Sequence, residues 1–227
     1  MYGIIKPVTF RKLAHMACDA VALVGLGILL TGCAKTETAH MVGTNEEEKT
    51  TETTPAETTT PQPSTVVVET SKGSFEITLW EDKAPTTVSN FLAYVDDDYY
   101  TDLIFHRVIK GFMIQGGGFD TAMHQKKTGA QIKNEASKEA PNARGTIAMA
   151  RTSNINSATS QFFINLSDND FLNHKDTTAR GFGYCVFGEV TAGMDVVEAI
   201  EKVATGRHGM HADVPIEAVV IKDIRRK

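Results

Sequence analysis

The sequence predicts a mainly β domain, a closed antiparallel barrel with helical caps, carried behind a leader and a polar tether. Three observations predict this. From residue 65 onward, short apolar or alternating runs recur between glycine-rich turns, which is how all-β architectures read. Two segments carry a helical period of apolar residues, enough for two caps and too few for a helical bundle. Before residue 65 the chain divides into a short apolar run and a stretch rich in Thr, Glu and Pro. Periodicity by itself fits an open sandwich as well as a barrel.

Each element has its own signal. Val66-Val67-Val68 leads into Ser71-Lys72-Gly73-Ser74, a turn, after which Phe75, Ile77 and Leu79 alternate with Glu76, Thr78 and Trp80; this is a hairpin with one buried face. Pro85 suits a first helical turn, and Val88, Phe91, Leu92 and Val95 follow at i, i+3, i+4 and i+7, one apolar helix face. Strands are expected at 104–109, 112–115, 146–150, 161–166 and 184–190. A second helix is expected over 194–203, with Val196, Val197, Ile200 and Val203 on one side, and a last strand over 219–224. At 163 residues, the segment 65–227 is long enough to bury a core.

The remainder is leader and tether. Lys6, Arg11 and Lys12 precede an apolar run from Ala20 to Leu30, too short for a bilayer span of about 20 residues but suited to a secretory signal. Leu30-Thr31-Gly32-Cys33 resembles the lipobox of bacterial lipoproteins, with a long charged region and Asp19 at the edge of the apolar run as departures. The resemblance implies cleavage of residues 1–32 and acylation of Cys33. Residues 34–64 contain ten Thr, three Pro and six Glu and have no apolar period. Such a segment buries too little apolar surface to offset its ordering entropy and is expected to be a disordered tether. The whole chain has a net charge of −5, which argues against a nucleic-acid partner. Three cysteines exclude a disulfide framework.

The chemistry concentrates in Phe105-His106-Arg107 and Phe112-Met113-Ile114-Gln115-Gly116-Gly117-Gly118. Strand alternation puts residues 105, 107 and 109 on one face, so Arg107 is expected beside large apolar side chains, where an Arg is costly unless paired or functional. A second cluster is Met149-Ala150-Arg151 with Ser160-Gln161-Phe162-Phe163. Together they offer an apolar pocket with few polar donors, a binding site more than an acid–base site. Other polar groups read as structural. His208 and His211 fall in a glycine-containing surface loop without a metal-ligand pattern. Cys185 reads as a core residue, Ser160 as structural, and Asp96-Asp97-Asp98 as a solvated helix end.

These segments, with Asp170-Phe171-Leu172-Asn173 and Gly183-Tyr184-Cys185-Val186-Phe187-Gly188, resemble the cyclophilin family of peptidyl-prolyl cis–trans isomerases over essentially all of 65–227. Met149-Ala150-Arg151-Thr152 and Gly206-Arg207-His208-Gly209-Met210-His211 are similar to bacterial members. The resemblance implies an eight-stranded antiparallel barrel capped by two helices, and isomerase activity without a metal or cofactor. It implies Arg107 as the catalytic residue and Phe112, Met113, Phe163 and Leu172 as walls of a proline pocket. Gln115 would help hold Arg107 and the substrate backbone, Ala150 and Arg151 would border the peptide, and His106 would flank the site. Phe171 stands where eukaryotic members have Trp, removing an indole donor for cyclosporin, and Tyr184 stands where they have His. The expected partners are proline-containing polypeptides and, through Cys33, a membrane; the domain is expected to be monomeric. The expected location is the cell envelope. Ala34 lacks the Asp that often retains lipoproteins at an inner membrane, which favours an outer membrane facing the periplasm, or the cell surface in a Gram-positive host.

Overall fold

The structure, a computed structural model, describes residues 63–227. The expected signal, Cys33 and all but the end of the tether lie outside the described residues. Strand β1 (Thr65–Thr70) and β2 (Gly73–Leu79) form the expected hairpin. Its turn is closed by the Thr70 hydroxyl, which donates to the Gly73 carbonyl at 2.7 Å and accepts from the Lys72 N–H at 3.0 Å. Val66, Val68, Phe75, Ile77 and Leu79 are buried, as alternation requires.

Helix α1 (Pro85–Asp96) begins with Pro85 and buries Val88, Phe91, Leu92 and Val95. Its first residue is preceded by Ala84, which has no side chain to cap it. The Glu135 carboxylate does so instead, accepting from the Thr86 and Thr87 N–H groups at 3.1 and 2.7 Å and complementing the positive end of the helix. Burial pushes the Glu135 carboxyl up, but hydrogen bonds from Thr87 and Thr86 outweigh it and leave its pKa below the ordinary value. At the other end, Asp96 is not merely solvated: both its oxygens accept from Arg226, at 2.7 and 2.6 Å.

The remaining strands are β3 (Leu103–Ile109), β4 (Met113–Asp120), β5 (Thr146–Met149), β6 (Phe162–Asn165), β7 (Val186–Ala192), β8 (Thr205–His208), β9 (His211–Pro215) and β10 (Ile221–Arg226). Helix α2 spans Met194–Glu201, and one turn of 3-10 helix spans Asp170–Leu172. Eight strands form one antiparallel sheet in the order β10-β1-β2-β7-β5-β6-β4-β3. Its edges meet: the Asp102 and Phe105 N–H groups donate to Ile221 and Val219 at 2.9 and 3.0 Å, beside an Ile104–Val220 bridge. The result is a nearly closed barrel with two helices. Its core centres on Phe91, whose ring lies 5.2–5.8 Å from those of Phe187, Tyr100 and Phe162.

The structure departs from expectation in several places. Gly116–Gly118 lie within β4 rather than in a turn. A Cβ at Gly117 (φ +79°) would stand 2.9 Å from Tyr100 Cε1 and 3.0 Å from Phe162 Cε1, so the backbone there touches the core rings directly. The last strand lies two residues later than expected, and α2 ends at Glu201. The supposed loop around His208 and His211 is a hairpin, β8–β9, paired outside the barrel sheet. Its mostly exposed residues carry no apolar alternation, so its pairing left no periodic trace.

Candidate active site

On β4 and β6, Ile114, Phe162 and Ile164 face the main core, while Met113 and Phe163 face a second, smaller apolar cluster with Ala148 and Val186. This outer face holds the site. Arg107 of β3, Met113 and Gln115 of β4, and Phe163 of β6 lie side by side, because Gln115 is directly opposite both Arg107 and Phe163. Phe112 from the β3–β4 turn, Leu172 from the 3-10 turn, Ala150 and Arg151 after β5, and Tyr184 before β7 complete a cavity of about 130 Å³. That is close to the ~150 Å³ cavity that accepts benzene in a protein interior, so one five-membered ring fits.

A β-bulge aims Arg107. Phe105 pairs with Gly116 and Arg107 with Gln115, so two steps on β3 match one on β4. The extra residue reverses the alternation. Phe105 enters the main core and Arg107 turns to the outer face with Ile109, which corrects the expectation that residues 105 and 107 share a face. His106 is then directed away from the cavity; it is 5% exposed and its ring lies 4.7 Å from that of Phe119. Phe171 is 64% exposed and stacks on Phe112 at 5.5 Å, beyond the cavity wall.

The two arginines of the cavity are held differently. Arg151 is tied down, donating to the carbonyls of Gly183, Thr152 and Ala179 at 2.9–3.0 Å and lying over the Tyr184 ring at 4.8 Å. The Arg107 side chain makes no hydrogen bond among the described residues; its Nε stands 3.8 Å from Asp213 Oδ2 on β9. Its donors therefore remain available to something in the cavity. Gln115 donates its amide N–H to Gln161 Oε1 at 3.0 Å, and its carbonyl oxygen accepts no hydrogen bond from Arg107 among the described residues. The cavity is thus an apolar seat beside one uncommitted guanidinium, a place to bind a ring and donate to an atom next to it.

The sequence reading missed the polar scaffold behind the wall. Buried Asn169 donates to the Phe112 carbonyl at 3.0 Å and to Asn165 at 2.8 Å; Asn165 donates to Thr146 Oγ1 at 2.9 Å; Asn142 donates to the Leu172 carbonyl at 3.2 Å. These amides satisfy one another and fix the two backbone segments carrying Phe112 and Leu172. Asn165, ending the apolar run Phe162-Phe163-Ile164, was the one available signal.

Comparison with known proteins gives the family. The family model described as "Cyclophilin type peptidyl-prolyl cis-trans isomerase/CLD" matches residues 65–226. The chain is 57% identical over 159 residues to "Peptidyl-prolyl cis-trans isomerase B" of Escherichia coli, covering 70% of this chain and 97% of that protein. It is 54% identical over 162 residues to a peptidyl-prolyl cis-trans isomerase of Streptomyces antibioticus, covering 71% and 98%. A solved cyclophilin-type isomerase of Cryptosporidium parvum superposes with a TM-score of 0.62 at 28% identity, covering 73% of this chain and 98% of that one; the same protein, solved in the presence of the dipeptide Ala-Pro, gives 0.60 at 29%, covering 72% and 98%. The barrel, the ring-sized cavity and these matches converge: the chain belongs to the cyclophilin-type peptidyl-prolyl cis–trans isomerase family and is an enzyme of that activity.

Proposed function

We propose that the enzyme isomerises X–Pro bonds in secreted or envelope polypeptides, with Arg107 donating a hydrogen bond to the prolyl nitrogen in the twisted transition state. The reasoning begins with the bond. Amide resonance sets a barrier of about 18–20 kcal/mol, and uncatalysed X–Pro isomerisation takes tens to hundreds of seconds. At the twisted geometry resonance is lost, the nitrogen becomes pyramidal, and it gains a lone pair that accepts a hydrogen bond. A donor placed there stabilises the transition state over both planar states. A guanidinium keeps its charge and offers donors in a fixed fork. The proline ring sits among Phe112, Met113, Phe163 and Leu172, with Ala150, Arg151, Gln115 and Tyr184 along the peptide and Phe171 extending the wall through Phe112. No covalent bond is made or broken and no cofactor takes part. A 10⁵-fold acceleration needs about 7 kcal/mol of such differential binding.

One observation carries this reading: Arg107, alone of the two cavity arginines, keeps its hydrogen-bond donors uncommitted among the described residues. A prolyl-peptide isomerisation assay on the full chain and Arg107→Ala tests it: the variant should be far slower, and equal rates in the two would remove Arg107 from the mechanism. We further propose that Cys33 carries lipid and that residues 34–64 tether a monomeric domain to the envelope, periplasm-facing on an outer membrane or on a Gram-positive cell surface. The motif Leu30-Thr31-Gly32-Cys33 supports it. Metabolic labelling with a fatty-acid probe should mark the wild type and not Cys33→Ser; equal label in both rules the anchor out.

A further inference from the structure

We infer that Asp213, on the β8–β9 hairpin, is a positioning residue for Arg107, so that this hairpin, outside the barrel sheet, belongs to the catalytic machinery. The inference rests on the proposed role of Arg107. Its starting point is a need. A side chain with four rotatable bonds must present its terminal nitrogens to one atom of the substrate, yet the Arg107 guanidinium makes no hydrogen bond among the described residues, and the Gln115 amide N–H is engaged with Gln161. Among the described residues, the one carboxylate paired with the guanidinium is Asp213, 3.8 Å from Nε. It stands on the Nε side, so a charge attraction there orients the fork while both terminal nitrogens stay available to the cavity.

Three features show that the hairpin is built to hold this carboxylate in place. β9 packs along β3, the strand that carries Arg107. The packing has an aromatic centre: the ring of His211, two residues before Asp213, meets Phe119 edge-on at 5.3 Å, and Phe119 lies 4.7 Å from buried His106, the neighbour of Arg107. Asp213 itself has φ +60°, a left-handed conformation within a strand that Asp and Asn tolerate and most side chains do not. Both partners are about two-fifths exposed, with side chains at 42% and 43%, so the attraction is screened by salt.

The test is steady-state isomerisation by the full chain and Asp213→Asn, a change that keeps the size and the tolerance for φ +60° but removes the charge. At about 0.01 M salt, where the Debye length is about 30 Å, kcat should fall about two- to fivefold with KM unchanged. At about 1 M salt, where it is about 3 Å, the wild type should decline to the variant's rate. Glu217→Gln, a loss of negative charge at a carboxylate paired with Lys72 rather than Arg107, should match the wild type at both. An unchanged or raised kcat in Asp213→Asn at low salt, a deficit that persists at high salt, or a change in KM alone would overturn the inference. Arg107→Ala in the same assay separates the two ideas: if it retains full kcat, the role of Arg107 fails; if it loses kcat while Asp213→Asn does not, only the positioning role fails.

Discussion

Replacing His106 with Phe is expected to flatten the dependence of stability on pH between about 6.5 and 4. The imidazole is buried against Phe119, and its Nδ1 has no hydrogen-bond partner among the described residues. Burial, and then the neighbouring His211 and Arg107, hold its pKa down from 6.5 to about 4. Above the unfolded value near 6.5 neither state binds the proton, and the full stability is present. Between 6.5 and about 4 the unfolded chain takes it up while the folded chain does not, so stability falls as pH falls; below that both states are charged and the loss is complete. At 1.36 kcal/mol per pH unit, the gap is worth about 3 kcal/mol. Phe keeps an aromatic ring on Phe119 and cannot titrate. Urea unfolding of both proteins at pH 7.5, 6, 5 and 4 measures the difference directly, since carboxylate contributions are common to both. The wild type should lose about 3 kcal/mol more than His106→Phe over that range. Parallel curves would refute the claim that burial keeps this histidine neutral.

Further predictions follow from packing. Gly117→Ala combines left-handed strain of about 1–2 kcal/mol with overpacking against Tyr100, Phe162 and the Ser160 carbonyl of about 1–3 kcal/mol; denaturant midpoints should show a loss of about 2–5 kcal/mol. The Cys185 thiol is buried beside Thr87, and burial pushes its pKa up to about 11, so it should resist a disulfide reagent at pH 8 in the folded protein and react at once in denaturant; equal rates would contradict its burial. Phe163→Ala removes a ring from the cavity wall, and kcat/KM for prolyl peptides should fall about 10- to 100-fold, as expected for about 1.5–3 kcal/mol of lost apolar contact, with circular dichroism confirming the fold.

Much of this architecture was legible because its signals are local. The spacing of Val88, Phe91, Leu92 and Val95 specifies the buried face of α1, and the alternation of Phe75, Ile77 and Leu79 that of β2. What escaped depends on partners distant in the chain. The cap of α1 is Glu135, 48 residues beyond Thr87. The bulge that sends Phe105 inward and Arg107 outward is a mismatch between β3 and β4, visible only once they pair. Gly116 and Gly117 read as turn residues because a sequence does not display the Phe105 and Tyr100 rings that exclude a Cβ there. The cavity residues could be named from the family resemblance, and the structure brings Arg107, Phe112, Met113, Gln115, Ala150, Arg151, Phe163, Leu172 and Tyr184 to one cavity. His106 fell outside it because the bulge turns its ring to Phe119. Asp213 had no signal, since β9 carries no apolar period and its contact with Arg107 is made across more than a hundred residues.

In the proposed mechanism Arg107 acts on the transition state and not on the planar peptide. Separate measurement of kcat and of peptide affinity for wild type and Arg107→Ala, by NMR exchange between the cis and trans forms of a bound prolyl peptide, tests it most directly. Loss of one transition-state donor should lower kcat about 10²- to 10³-fold while the affinity for the planar peptide changes little. An unchanged interconversion rate on the enzyme, with only weakened peptide binding, would make Arg107 a binding residue and not a transition-state donor.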